Sequence, residues 1–268
     1  MATYVLAGAP LLSKAVPAEV GTSSATRFHP VLDLLPAEKI LPVLSGLNGL
    51  FPSGGLPRGA TILLGSMQAP ETPFRPAADT SGSRPAQQGR VSGLTSLLLL
   101  LLAGASSQGH WCAVAGLPEL GLVAAVEMGA DLGRLVLVPH PGSEGRWQSV
   151  VMTLLETVDL VCFAPDTPVR VTDARRLSAR ARERGSSLVV FDQPSPPASA
   201  KGLGCSGQGR RLGARWPGPP DLRCAVRESA WSGLEHGHGL LSARQLEAEV
   251  GGRGAASRPR RGRLRLPA

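Results

Sequence analysis

Short apolar runs and stretches of helical period take turns along the middle of the chain, divided by glycine, proline or charged residues. Residues 1–50 read as a lead-in with one short helix near Pro36–Leu47. The turn-rich stretch Phe51–Gly59 then feeds Thr61–Gly65, a run of strand length that stops at glycine. Ser66–Ser92 has no periodicity and is rich in Pro, Gln, Ser, Thr and Gly, the composition of a disordered insertion. A helix is predicted from about Leu94 through the leucine run to just before Gly109, which suits a left-handed cap. Beyond it the pattern predicts strands at His110–Gly116, Arg134–Val138, Val158–Ala164 and Ser187–Phe191. Helices are predicted at Pro118–Met128, Glu144–Thr157 and Thr172–Arg184.

Strands that lack two-fold alternation belong to a sheet covered on both faces. Strand and helix repeated in this way predict an α/β fold, a mostly parallel sheet flanked by helices with right-handed crossovers. The core spans residues 51–193, with 66–92 inserted in it. Residues 194–220 read as a flexible Gly/Pro/Arg loop, and 221–268 as short antiparallel strands (LRCAV, then RLRLP) completing the same domain.

Composition changes the picture in two ways. Aromatic residues are only 4% against 43% hydrophobic, so the core is built from Leu, Val and Ala. Residues 1–200 carry 15 basic and 15 acidic residues, whereas 201–268 carry 13 and 5, so the whole excess of +8 lies in the last quarter. Lys14, Lys39 and Lys201 are the only lysines, so this excess is arginine, which forks onto phosphate or carboxylate. Cys112 and Cys162 lie in apolar runs and Cys205 and Cys224 add no ligand spacing, which fits a reducing compartment and no metal. Met1–Val16 lacks the basic leader of a signal peptide, and Leu97–Leu102 falls far short of the roughly 20 residues that span a bilayer. The expectation is a cytoplasmic, soluble chain without membrane contact.

In a parallel sheet, ligands gather at the carboxyl ends of strands, here after Gly65 and at the start of the next helix. A working phosphate loop reads G-x-x-x-x-G-K-[ST]. The nearest match is Gln88-Gly89-Arg90-Val91-Ser92-Gly93-Leu94-Thr95-Ser96, with Leu94 in the lysine position. A lysine about 4 Å from a phosphate charge contributes up to roughly 4 kcal/mol at an effective dielectric of 20. Gly65, Gly89, Gly93, Thr95 and Ser96 therefore form a degenerate phosphate loop, with ATP and magnesium not expected as cofactors. A magnesium carboxylate is also displaced, since the strand ends in Ala164-Pro165 with Asp166 two places late. No nucleophile elbow is present, and His236 and His238 have no third ligand at zinc spacing.

The entry Leu50-Phe-Pro-Ser-Gly-Gly-Leu-Pro-Arg-Gly59 and the segment Trp111-Cys-Ala-Val-Ala-Gly-Leu-Pro-Glu-Leu120 carry a resemblance. So do Gly129-Ala-Asp-Leu-Gly-Arg-Leu-Val-Leu-Val-Pro139, Arg175–Arg182 and Gly252–Arg261. With these motifs the chain resembles the RecA-like recombinase core and, more closely, the actinobacterial ImuA family, over about residues 40–268. The resemblance implies a RecA-like sheet. It places Ala164 where recombinases hold a magnesium aspartate, and Glu119 one place from a water-activating glutamate. Gln193 matches a glutamine that senses the γ-phosphate and starts a DNA-binding loop, with 194–220 in the place of that loop. It further implies a catalytically silent accessory subunit for translesion synthesis, beside an ImuB-like Y-family polymerase homologue and an error-prone replicative-type polymerase.

The residues expected to contact DNA or a partner are arginines. Arg210, Arg211 and Arg215 lie beside Trp216, whose ring suits base stacking. Arg258, Arg260, Arg261 and Arg263 belong to the densest cluster, where alternation predicts a final strand with one basic face. Two alternatives stand beside silent binding: a weak ATPase using Arg90, Thr95 and Asp166, and a modulator of a recombinase filament.

Overall fold

The computed structural model describes residues 39–65, 93–142, 145–192, 216–235 and 238–267. Ten strands and four α-helices follow in chain order. They are β1 (Ile40–Pro42), β2 (Gly55–Pro57), β3 (Thr61–Gly65), α1 (Leu94–Ser107), β4 (Cys112–Ala115), α2 (Leu122–Glu127) and β5 (Leu135–Val138). Then come α3 (Arg146–Thr157), β6 (Leu160–Phe163), α4 (Val171–Arg184), β7 (Ser187–Asp192), β8 (Leu222–Glu235), β9 (His238–Gly252) and β10 (Arg260–Pro267).

The main sheet has eight strands in the order β10-β9-β8-β3-β7-β6-β4-β5. From β8 to β5 every pairing is parallel, and β9 and β10 add antiparallel strands at the far edge. The expected mostly parallel sheet with antiparallel C-terminal strands is therefore present. Its inner strands β3, β4, β6 and β7 are apolar because helices cover both faces. On one face α1 and α2 pack with β1 and the β8–β10 strands through Leu97, Leu101, Ala125, Val226, Leu246 and Leu264. On the other, α3 and α4 bury Val151, Leu155, Leu177 and Ala181. There Trp147 stacks on Phe163 with ring centroids 4.8 Å apart, a contact worth about 1 kcal/mol beyond its buried area.

The polar groups that fix this arrangement sit at the amino ends of the parallel strands. Arg58 Nη1 donates to Asp159 Oδ1 at 2.7 Å, and the Trp111 N–H donates to Asp159 Oδ2 at 3.1 Å. Burial alone would raise the Asp159 carboxyl, but the Arg58 and Trp111 hydrogen bonds outweigh it and hold the group below the usual carboxylate range. Asp221 pins β8 beside β3: its Oδ2 accepts from the Thr61 N–H at 2.9 Å and its own N–H donates to the Thr61 carbonyl at 2.8 Å.

Three expectations are corrected. In place of a helix at Pro36–Leu47, the described part forms β1 and a 3-10 turn at Ser45–Leu47. Pro42 would remove a helical N–H from that span, and β1 finds partners instead in Gly55–Pro57 of β2. The helix expected from Pro118 starts only at Leu122, after a turn. The C-terminal strands are not short: β8 has 14 residues and β9 has 15. Residues 66–92, read as a disordered insertion, lie outside the described residues, as does most of the 194–220 loop.

Candidate functional site

The connections after β4 and β6 leave in opposite directions, to α2 on one face and α4 on the other. Between two such neighbours lies the crevice where doubly covered sheets bind ligands. Here the two strand ends run backbone against backbone. Gly116 ends β4 with φ of +82°, and a Cβ at this position would stand 2.3 Å from the Ala164 carbonyl oxygen. The Ala164 N–H in turn donates to the Ala115 carbonyl at 2.9 Å. The strand ends contribute Ala115, Gly116, Ala164 and Pro165, none of which carries a charge, while Asp166 and Glu119 are exposed to either side.

The first turn of α1 is equally filled. Leu94 is 5% exposed and belongs to the core cluster, so the lysine position points into apolar surroundings. A Cβ on Gly93 would meet Leu246 Cδ2 at 2.8 Å and Val226 Cγ1 at 3.1 Å, which brings the helix start down onto β8 and β9. Thr95 is exposed, and Ser96 is buried with its Oγ accepting from Arg244 Nη1 at 3.0 Å. Gly65 lies in register with Asp192 at the end of β7. Gly65, Gly93, Thr95 and Ser96 are thus placed at the strand end and helix start as expected, and Gly89 lies outside the described residues.

Arg244 was not legible as part of this region. It rises from β9, donates through Nε to Ser229 Oγ at 3.0 Å and reaches Ser96. Burial lowers its guanidinium pKa, yet an arginine remains charged at any working pH. A cation therefore stands at the first turn of α1, supplied by another strand.

The C-terminal extension has two unlike faces. Val226, Leu246, Ala248, Val250, Leu264 and Leu266 face the core. Strand alternation sends Arg223, Arg227, Glu247, Glu249, Arg261, Arg263 and Arg265 to the other side. There the carboxylates of central β9 lie between arginines from both neighbours. Glu249, 3% exposed, accepts from Arg227 at 2.9 Å and from Arg261 at 2.6 Å. Glu247 pairs with Arg263 at 3.4 Å. The Arg227 hydrogen bond holds the Glu249 carboxyl below the usual glutamate range, outweighing burial, and Arg261 adds to the effect. Arg223 and Arg265 are exposed and have no ion pair among the described residues.

This geometry divides the arginine cluster that the sequence grouped together. Arg261 and Arg263 lie on the basic face with Arg265, but both are paired to glutamates. Arg260 is half-buried on the side of Leu264, and Arg258 is exposed in the turn before β10. Arg210, Arg211 and Arg215 lie outside the described residues. Trp216 is corrected: it is 8% exposed and packs in the cluster with Trp147 and α4, so its ring is not open for base stacking. The apolar face of the sheet outcompetes solvent for a large ring, whatever loop precedes it.

The three described cysteines are all buried. Burial pushes the Cys112 and Cys224 thiols each up to about 12 and raises Cys162 as well. No group of three His, Cys, Asp or Glu stands together to hold a metal. No helix among these residues is long and apolar enough to cross a membrane.

The fold is thus that of a mixed α/β protein with a largely parallel sheet and an arginine-rich antiparallel edge. Residues 76–196 match a family profile described as the MT3502 N-terminal domain. The chain is also similar to the uncharacterized protein Rv3395c of Mycobacterium tuberculosis (strain ATCC 25618 / H37Rv), 41% identical over 109 residues. That alignment covers 40% of this chain and 52% of the relative, so the chain spans about half the length of the curated protein it matches.

Proposed function

We propose that this chain is a nucleotide-silent, RecA-like accessory protein of the actinobacterial ImuA kind, working by binding in damage-tolerant DNA synthesis. Its partners in this reading are an ImuB-like Y-family polymerase homologue, an error-prone replicative-type polymerase and DNA, in the cytoplasm. The mycobacterial relative and the α/β sheet are consistent with it. The single observation that carries it is the side chain of Leu94, buried in the core where a triphosphate needs a cation. Without that charge roughly 4 kcal/mol of phosphate attraction is absent. The arginine rows of β8 and β10 then supply the contact surface, with Arg223 and Arg265 the cations most open to a phosphate.

Calorimetric titration of the whole chain with magnesium-ATP tests the silent site: no heat up to millimolar nucleotide is expected, and saturable binding lost in Thr95→Ala would overturn it. Co-purification with an ImuB-like polymerase homologue, compared with a recombinase, tests the pathway. A second reading, weak nucleotide binding, draws on Arg244 beside Ser96 and on Asp192 beside Gly65. It predicts that Arg244→Ala abolishes whatever nucleotide binding the titration finds.

A further inference from the structure

The charged sheet face of the C-terminal extension ends against a helix, and cations from three segments meet at the corner. α3 packs over β6 and α4 over β7, so the flank of α4 turned away from α3 looks toward β3 and β8. Asp173 and Arg180 lie on the α3 side, bonded to Gln148 and Glu156. Helical period puts Arg175, Ser178 and Arg182 on the opposite flank. There Ser178 Oγ accepts from the Thr61 hydroxyl of β3 at 2.9 Å.

Arg182, at the foot of that flank, stands 3.8 Å from Asp221 Oδ2, just before β8. The Asp221 carbonyl accepts from the Arg253 N–H at 3.0 Å, so the register that sets Arg223 against Gly251 continues to Asp221 against Arg253. Strand alternation puts Arg223 and Arg253 on the face that carries Glu247 and Glu249. Three arginines thus surround one carboxylate, whose Oδ2 already accepts from the Thr61 N–H at 2.9 Å. Arg182 is 65% exposed, and Arg223 and Arg253 are exposed without an ion pair among the described residues. Other carboxylates are committed elsewhere: Glu183 to Arg180, and Glu249 to Arg227 and Arg261. Glu228 stands further along β8, opposite Glu247.

Such an excess suits phosphate, whose oxygens take the fork of a guanidinium. Trp111, Val123, Val126 and Val171, the large apolar side chains exposed among the described residues, all lie outside the corner. A protein partner therefore finds no apolar anchor there. None of the corner positions is aromatic, so none stacks on a base.

We propose that this corner grips a single DNA strand by its phosphates alone. Arg182, Arg223 and Arg253 pair with successive phosphates, and Arg175, roughly 10 Å along α4 from Arg182, takes the backbone beyond them. The proposal rests on the DNA-binding reading of the arginine face and extends that surface from the sheet onto α4.

Fluorescence anisotropy of an oligothymidylate of about 16 nucleotides against the whole chain, over a salt series, tests it. The triple variant Arg182→Gln, Arg223→Gln, Arg253→Gln changes only exposed side chains, so it keeps the parent's melting temperature. It should weaken binding about tenfold and reduce the salt slope by about 2, and Arg175→Gln alone by about 0.7. A second triple variant, Arg146→Gln, Arg170→Gln, Arg176→Gln, removes the same charge near the starts of α3 and α4 and should leave the slope at the parent's value. Equal losses in the two triple variants would mean general attraction and overturn the corner. An abasic oligomer of the same length should bind within about twofold of the thymidylate, and a larger loss would overturn contact by phosphate alone. Displacement of the strand by polyglutamate at equal charge would make the occupant a protein and overturn the proposal as well. A parent chain that binds no oligomer sinks the DNA reading and the corner with it. Binding that survives the corner variant unchanged overturns the corner alone.

Discussion

The two halves of the main sheet solve the problem of polar groups differently. In the parallel half, β3 to β7, helices cover both faces, so charge is confined to strand ends, and the carboxyl ends of β4 and β6 have none. In the antiparallel extension one face is apolar and the other has no helix packed on it from α1 to α4, so alternating residues carry seven charged groups from Arg223 to Arg265. Where a sheet is covered on one side only, strand period alone builds a charged surface. The comparison teaches that in this chain charge gathers on a sheet face and not at the strand ends.

The sharpest way to break that contrast is to restore the missing cation. Leu94→Lys places a charge inside the apolar core cluster and should cost about 3 kcal/mol or more in chemical denaturation. A variant that instead stays as stable as the parent and binds magnesium-ATP would show that the first turn of α1 is open. Next in size is the arginine face. Replacing Arg261, Arg263 and Arg265 together with Ala should weaken single-stranded DNA binding and reduce its salt slope by about 2, at roughly 0.7 per phosphate contact. Arg260→Ala, on the side of Leu264, should change the slope less than Arg265→Ala; equal effects would mean that strand alternation does not define the surface.

A subtler probe is Glu249. Its carboxyl is held below the usual range, so the stabilisation it gives is fully present above about pH 4.3 and is lost as pH falls below that. Glu249→Gln should flatten the acid limb of unfolding followed by circular dichroism. It should also tighten DNA binding at neutral pH by freeing Arg227 and Arg261. The smallest effect belongs to the other half: Asp159→Asn should lower stability by about 1 kcal/mol in thermal melts, because Arg58 and water share the loss.

The parallel half was readable because each of its strands is a short, unbroken apolar run, and the leucine run of α1 could only be core. The extension was read as short strands because glycine, histidine and glutamate interrupt β8 and β9, and such residues signal turns until a neighbouring strand claims them. Leu94 in the lysine position was visible from spacing alone. The pairing of Arg261 with Glu249 was not, since it depends on the register between β9 and β10, although Glu247 and Glu249 at strand spacing offered a hint. The role of Arg244 is illegible in sequence for the same reason: its target, Ser96, is 148 positions away in the chain. The burial of Trp216 followed from the sheet behind it and left no mark in the loop composition.

β8 meets β3 only where Leu222, Arg223 and Cys224 face Ile62, Leu63 and Leu64, while the rest of its length belongs to β9. Beyond this seam the three antiparallel strands are held by packing of Val226, Leu246 and Leu264 with α1, so they form a cooperative unit that opens together with the start of that helix. Amide protons in β9 and β10 would then exchange together and ahead of those in β6, and a pull on the hairpin tip would unzip the molecule there first.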